Sequence, residues 1–403
     1  GDNSGLTGAI TVNGGMISVQ NSFSTLGSGD VTVTANATIG TFTGSGFTTP
    51  GRLNNKLNVT AGTLTLGRNG RTVLGNDVIA SGTGSIVVGG GGTTVIEKNI
   101  ANTGTGTLSV SSGTTLQLGN GGTTGTFNGG LSFDQPTGSL AFNRSDNVIY
   151  SGAFSGTGSL TQAGTGSLTL TGANTYTGAT TVSAGTLTLA SGAGLATTGF
   201  TVAAGANLAL NSSVTVSALN AAGGIQVGAG ATLTLNNTTN QPLGGGDSAT
   251  SAPTGSISGA GTFVKTGAGL AWVQGDYTAS NINVILSGGT LQFVGVRTAD
   301  VNAFGTGNIT VIADSTLNTF VDSARTKSSR LLNAISVTGG TLTLGTGSTG
   351  NGSLTFAGGL TATNAANVTV GGGRVILESN LAMNGTGGLA LTGGTLQIGN
   401  NTA

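Results

Sequence analysis

Gly185-Thr186-Leu187-Thr188-Leu189 places two leucines one residue apart, directly behind a glycine. With a side-chain period of two, Leu187 and Leu189 share one face of a strand and the threonines share the other. The phrase returns as Gly62-Thr63-Leu64-Thr65-Leu66, Gly289-Thr290-Leu291-Gln292-Phe293, Gly340-Thr341-Leu342-Thr343-Leu344 and Gly394-Thr395-Leu396-Gln397-Ile398. Threonine is β-branched and tolerates water, which suits the outer face. The glycine supplies the positive φ of a tight corner. Shorter variants are Thr115-Leu116-Gln117-Leu118, Asn207-Leu208-Ala209-Leu210 and Thr232-Leu233-Thr234-Leu235. Helical periodicity is nearly absent, and Ser323 to Ala334 reads as a short polar insertion.

The spacing of the phrases selects the architecture. Leu168 to Leu187 is 19 residues, Leu187 to Leu208 is 21 and Leu208 to Leu233 is 25. A meander would turn at shorter intervals through Asn-Gly or Asp-Gly hairpins. These intervals fit one coil of a solenoid, with two or three short strands around a narrow core. At ~20–25 residues per coil the chain makes roughly 16–20 coils, stacked at ~4.8 Å. The reading is an all-β protein: one continuous parallel β-helix (β-solenoid) over 1–403, a single elongated rod. Segments 240–256 and 322–334 read as insertions. With 13 Phe, three Tyr and one Trp, most interior positions are expected to be aliphatic.

Composition narrows the function. The chain has no Cys and no His, and its 12 basic and 12 acidic residues cancel to a net charge of zero. Disulfides, thiolate chemistry, the commonest general base and the commonest transition-metal ligand are thereby excluded. Balanced charge gives no footprint for nucleic acid or an anionic membrane. No run of 18 apolar residues offers a membrane-spanning helix. The 78 glycines do not signal disorder, because Leu, Val and Ile recur at alternate positions throughout. No cofactor is implied. The chain opens at Gly1 without a leader pattern and reads as a mature or excised portion of something larger.

One stretch is more specific. Gly156-Thr-Gly-Ser-Leu160-Thr-Gln-Ala-Gly164-Thr-Gly-Ser-Leu168-Thr-Leu170-Thr-Gly172-Ala-Asn174-Thr-Tyr176-Thr-Gly178 runs on to Thr180-Thr-Val182 and the Gly185 phrase. It resembles the autotransporter-associated β-strand repeat, also called the passenger-associated transport repeat. A degenerate copy spans 257–293, with Gly259-Ala-Gly261-Thr-Phe263-Val-Lys265-Thr-Gly267-Ala-Gly269, then Asp276-Tyr277 and Gly288-Gly-Thr-Leu291. Weaker echoes lie at Gly104 to Leu118 and Gly350 to Phe356. The resemblance implies a right-handed parallel β-helix, export to the bacterial cell surface or beyond, and a role in adhesion, aggregation or matrix.

Parallel β-helices can also be polysaccharide lyases or hydrolases, and glycoside hydrolysis needs two carboxylates about 5–10 Å apart. The acidic residues here stand singly, with no Asp-Asp, Asp-x-Asp or Glu-Asp pair, and are expected at corners. Gly244-Gly-Gly-Asp247 starts like a calcium nonapeptide but does not repeat, and one carboxylate cannot fill a calcium shell. Gly89-Gly-Gly-Gly92 lacks the Lys-Ser/Thr of a phosphate cradle and reads as a turn. Arg325-Thr-Lys327-Ser-Ser-Arg330 is the one basic cluster, a candidate contact for an acidic glycan or a neighbouring subunit, with a solvated loop the plainer account. Trp272 and Tyr277 join it as a candidate interaction surface, alongside Tyr150 and Tyr176, because aromatic rings stack on sugars. Packing is the plainer account of the tyrosines in the repeat, and Trp272 reads either way.

Strand patterning reaches both ends, at Ile10-Thr-Val12 and Gln397-Ile398, with no polar cap visible. A fragment of a longer rod, or open ends that stack on other copies, would account for this. The reading is a non-enzymatic structural rod in adhesion, matrix or filament assembly. Its partners are further copies of itself, neighbouring surface proteins or glycans. The alternatives are a carbohydrate-active β-helix enzyme and a glycan-binding module.

Overall fold

The computed structural model describes residues 5–20, 26–42, 51–67, 70–134, 137–243, 255–273, 280–294, 304–320, 329–346 and 353–399. Among these residues there is no helix, and the strands are three to six residues long. The chain divides into two compact units, Gly1–Thr197 and Thr198–Ala403. Each is a parallel β-solenoid.

In the first unit, strands Val78–Ala80, Ser85–Val88 and Gly92–Ile96 form one coil, and Asn99–Asn102, Leu108–Val110 and Thr114–Leu118 form the next. Val78 lies against Ile100, Ile86 against Leu108 and Ile96 against Leu118, all in parallel ladders. Twenty-two residues therefore return the chain to the same side. Ser85–Val88 shows the alternation in its burial, with Ile86 and Val88 inside and Ser85 and Val87 half-buried. Coil upon coil, the inward residues line up. One column runs Val31, Leu57, Val78, Ile100, Phe127, and another Leu53, Leu74, Ile96, Leu118, Phe142. No member is more than 5% exposed. Each such side chain contributes roughly 1.5–3 kcal/mol by leaving water.

Both columns change from aliphatic to aromatic at the same level, and the change has a cause. The side that ends at Thr126–Asn128 is succeeded by a new one, through Asn147–Tyr150, Ser167–Leu170 and Thr186–Leu189. Large rings fill the space where the columns change over. Phe127 stacks on Tyr150 at 5.7 Å and Tyr150 on Phe154 at 4.5 Å, while Phe154 meets Tyr176 edge-on at 6.3 Å. Along the earlier coils of this unit the described columns are aliphatic, as composition led one to expect, and the buried aromatic residues of the unit gather at this junction.

The second unit repeats the plan. One inward column runs Val214, Leu233, Phe263, Val284, Ile309, Ile335, Leu360, and its neighbour Val216, Leu235, Lys265, Leu286, Val311, Val337, Ala362. Three expectations from the sequence need correction. Leu208 is in register with Ile225, whereas Leu233 is in register with Val214 on a different side, so their interval is not one coil. The second concerns the segment 322–334. Ser329–Leu331 is a coil strand in parallel register with Leu354, Thr355 and Phe356, and Leu331 is buried; only 321–328 lies outside the described residues. At 240–256, Gln241–Leu243 and Ser256–Ser258 are likewise ladder strands, and 244–254 lies outside the described residues.

Truncating a column residue should be costly and truncating its outward neighbour should not. Ile86→Ala is expected to destabilise by about 2–5 kcal/mol. Thr65→Ala, one coil away on the outer face, should stay within about 0.5 kcal/mol. Urea denaturation followed by far-ultraviolet circular dichroism reads both, and equal effects would contradict the inward and outward assignment.

Candidate functional site

Ser159–Gln162 keeps the inward alternation of its neighbours but puts an amide where a leucine would stand. Gln162 lies between Phe142 and Val182 in the column and is 2% exposed. Its Nε2 donates to the carbonyls of Gly164, at 2.9 Å, and Gly166, at 3.1 Å. The amide therefore holds the corner that follows its own strand. In the degenerate copy, Thr262–Thr266 has the same alternation, and Lys265 occupies the place of Gln162. Lys265 Nζ donates to the carbonyls of Thr266, at 2.6 Å, and Gly267, at 2.8 Å. Burial pushes this ammonium down from its ordinary 10.5 to about 8.

The glycine of the recurrent phrase stacks on that corner. Gly185 has φ 61° and Gly289 φ 67°. A Cβ on Gly185 would run into the carbonyl oxygens of Gly164 and Gly166, and one on Gly289 into those of Gly267 and Gly269. Both backbone conformation and close approach require glycine here. At this corner the two copies are thus alike in geometry as well as in sequence.

The Asn-Thr-Tyr element does the work of a missing strand. After Phe154–Gly156 that side of the coil carries no further strand in this unit, and the extended segment around Asn174–Gly178 packs there instead. Asn174 is 1% exposed; its Oδ1 accepts from the Phe154 amide at 3.0 Å and its Nδ2 donates to the Gly172 carbonyl at 2.9 Å. Tyr176 is fully buried against Phe133 and Phe154. Its hydroxyl lies 2.7 Å from that of Thr180, which donates to Thr197, which donates to the Gly178 carbonyl. Burial also pushes the Tyr150 and Tyr176 phenols well above their ordinary range. Both rings are core, as packing required, and neither is available to stack on a sugar.

The described carboxylates are each engaged within the solenoid. Glu97 pairs with Arg52 at 2.6 Å, Asp146 with Arg144 at 2.7 Å and Glu378 with Arg330 at 2.7 Å. The hydrogen bond from Arg52 lowers the Glu97 carboxyl below its usual range, and that from Arg144 does the same for Asp146. Asp77 accepts from the backbone and side chain of Asn99, Asp314 from the Thr341 amide, Asp30 from Asn58 and Asp134 from Ser132. No group of three metal-ligating side chains occurs among the described residues. Asp2, Asp247, Asp276, Asp300 and Asp322 lie outside them. The Gly89–Gly92 run is a turn, with positive φ at Gly90 and Gly91, leading into Gly92–Ile96.

Of the candidate interaction residues, Arg325, Lys327 and Tyr277 lie outside the described residues. Arg330 is on a strand, reaching along the outer face past Thr355 to Glu378 two coils away. Trp272 is also outward and half-buried, between Pro242 and Gln292 in adjacent coils, so the choice between core and surface is settled for it. The structure brings Arg330 and Trp272 into no shared site. The inward donors Gln162, Lys265 and Arg144 were missed as structural residues, although the first two break an apolar alternation that can be read in Leu160-Thr-Gln162 and Phe263-Val-Lys265. Arg144 follows no such pattern; it is 7% exposed and donates to the Gly125 and Thr123 carbonyls besides Asp146.

The family model described as passenger-associated-transport-repeat matches residues 160–189, within the stretch built around Gln162 and Tyr176. Over 100 residues the chain is 44% identical to the Adhesin BmaC autotransporter of Brucella suis biovar 1 (strain 1330). That stretch is 25% of this chain and 3% of the relative, so the chain spans a small fraction of that protein's length. No solved structure matches. The chain carries an autotransporter passenger repeat on a parallel β-solenoid.

Two outcomes follow from the repeat's geometry. Tyr176→Ala should cost about 3–5 kcal/mol by opening the aromatic junction, and Asn174→Ala about 1–3 kcal/mol by orphaning the Phe154 amide. Tyr176→Phe should cost less than either, since Thr180 keeps Thr197; urea midpoints give the ranking. The second outcome concerns pH. Lys265 is lowered on folding, so the unfolded chain binds more protons between pH 8 and its ordinary 10.5, and stability rises with pH there. The slope is at most about 1.4 kcal/mol per pH unit, and above about pH 10 the two buried phenols oppose it. Lys265→Met should flatten the rise between pH 8 and 10 in thermal melts; an unchanged rise would assign it to another group.

Proposed function

We propose that the chain is a non-enzymatic, exported structural protein that works at a bacterial cell surface or outside the cell in adhesion. The observation that carries this reading is the passenger repeat at 160–189, whose distinctive Gln162, Asn174 and Tyr176 are buried in the core. Similarity to an autotransporter adhesin supports export and adhesion. The engagement of Glu97, Glu378, Asp77 and Asp314 in ties between coils supports a structural role over a hydrolytic one.

Matrix or filament assembly is the finer part of the proposal, with further copies or neighbouring surface proteins as partners.

Display tests the reading. The chain is fused to a signal peptide and an outer-membrane translocator in a non-adherent host, and exposure on intact cells is checked by protease. Displayed cells are expected to settle or adhere to an abiotic or cell surface several-fold more than cells displaying an unrelated passenger. Efficient display with no gain in either behaviour would refute the adhesive role.

A further inference from the structure

In the second unit, the outer face of Leu270–Val273, Thr290–Val294, Ser315–Phe320 and Thr341–Thr346 differs in chemistry from a solvated sheet. Register places Leu270, Thr290, Thr316 and Thr343 in one outward row, and Pro242, Trp272, Gln292 and Asn318 in the next. Pro242, Leu270 and Trp272 make an apolar platform at one end; hydroxyls and amides carpet the rest. A shallow cavity opens on the hydroxyl row, lined by Gly289, Thr290, Asp314, Ser315, Thr316, Thr341 and Thr343.

The polar groups of this face are unspent. The indole N–H of Trp272, the amides of Gln292 and Asn318, and the hydroxyls of Thr290, Thr316 and Thr343 make no side-chain hydrogen bond among the described residues. Asn318 Oδ1 is sealed from water, so the open polar groups of that row are those of Trp272 and Gln292. Asp314, in the cavity wall, accepts from the Thr341 amide; its carboxylate disfavours an anion, and the two rows carry no Lys or Arg to attract one. From Trp272 to Thr343 is three strand spacings, roughly 14 Å.

The geometry points to a binding surface for a neutral, hydroxyl-rich oligosaccharide centred on Trp272. A sugar ring has a C–H face that stacks on an indole and a rim of hydroxyls that pair with amides and hydroxyls. The apolar platform takes the first and the Thr, Gln and Asn rows take the second. This deepens the adhesive role by naming what the surface holds, and rests on that role only for the location of the face outside a cell.

Trp272 is the sole tryptophan of the chain, so its emission reports this face alone. The purified full chain is titrated with cellohexaose, laminarihexaose and mannohexaose, with hexagalacturonate as the acidic control, and calorimetry runs in parallel. A saturable blue shift with at least one neutral probe is expected. Trp272→Ala and Thr316→Lys should each weaken that binding at least tenfold by calorimetry, with circular dichroism unchanged, while Thr188→Lys on an outward position of the first unit leaves it intact. If Trp272→Ala does not fold, Thr316→Lys decides. No saturable response to any neutral probe, affinity unmoved by both substitutions, or response to hexagalacturonate alone overturns the site. Cells that adhere on display while the purified chain binds none of the probes would remove this site and leave the adhesive role standing.

Discussion

Parallel, in-register pairing from one coil to the next is the constraint on which the rest of the structure depends. Each strand lies about 4.8 Å from its counterpart, so every inward side chain meets the same slot one coil before and one coil after. Aliphatic residues satisfy that demand without further conditions, as in the column Val31, Leu57, Val78, Ile100. Polar residues satisfy it only where they reach a corner. There the chain turns and its carbonyls leave the ladder, so the interior presents acceptors. The inward polar residues are accordingly donors: Gln162, Lys265 and Arg144 to corner carbonyls, Asn55 to Gly27 and Gly29, Asn333 to Gly305 and Gly307. No Asp or Glu is among the buried side chains of the described residues. An acceptor placed there would face other acceptors, with several kcal/mol of desolvation unrelieved.

The same constraint explains what could be read from the sequence. Leu168 and Leu187 are one coil apart because each closes a Gly-x-Leu-Thr-Leu phrase that sits on the same side, and they pair in register. Leu208 and Leu233 carry similar phrases on different sides, and a one-dimensional spacing cannot tell sides apart. Ser329-Arg330-Leu331 was hidden by its charged neighbours; its alternation is three residues long, too short to stand out beside Arg325 and Lys327. The aromatic junction was hidden for a different reason. Phe127, Phe142, Tyr150, Phe154 and Tyr176 are scattered through fifty residues and meet only because three coils stack them. Gln162 and Lys265 were visible as breaks in alternation, but their carbonyl partners follow from the corner and not from the pattern.

The outward carboxylates show the constraint acting at the surface. Asp77 receives the backbone N–H of Asn99 and Asp314 that of Thr341, each from the coil above. A corner amide that misses its ladder partner is left without an acceptor, and a short acidic side chain from the previous coil supplies one, much as a capping residue does for the first turn of a helix. The ion pairs act over longer reach, with Arg330 spanning two coils to Glu378. Exposed pairs of this kind contribute little each, and together with the side-chain hydrogen bonds they engage the described carboxylates within the solenoid.

What is left for recognition then follows from the period of two. Half of each strand is committed to the columns, and substitutions there are felt by both neighbouring coils. The other half faces outward and is bound by no such rule, so the outer rows can differ from side to side within one fold. On most rows, charged and amide groups are drawn into ties between coils, such as Asn58 to Asp30 and Asn120 to Glu97. Where Pro242, Trp272, Gln292 and Asn318 line up, the groups are uncharged, and their register follows from the ladder rather than from any bond among themselves. A surface built this way recognises by stacking and neutral hydrogen bonds, and its selectivity is set by the spacing of strands that the core already holds fixed.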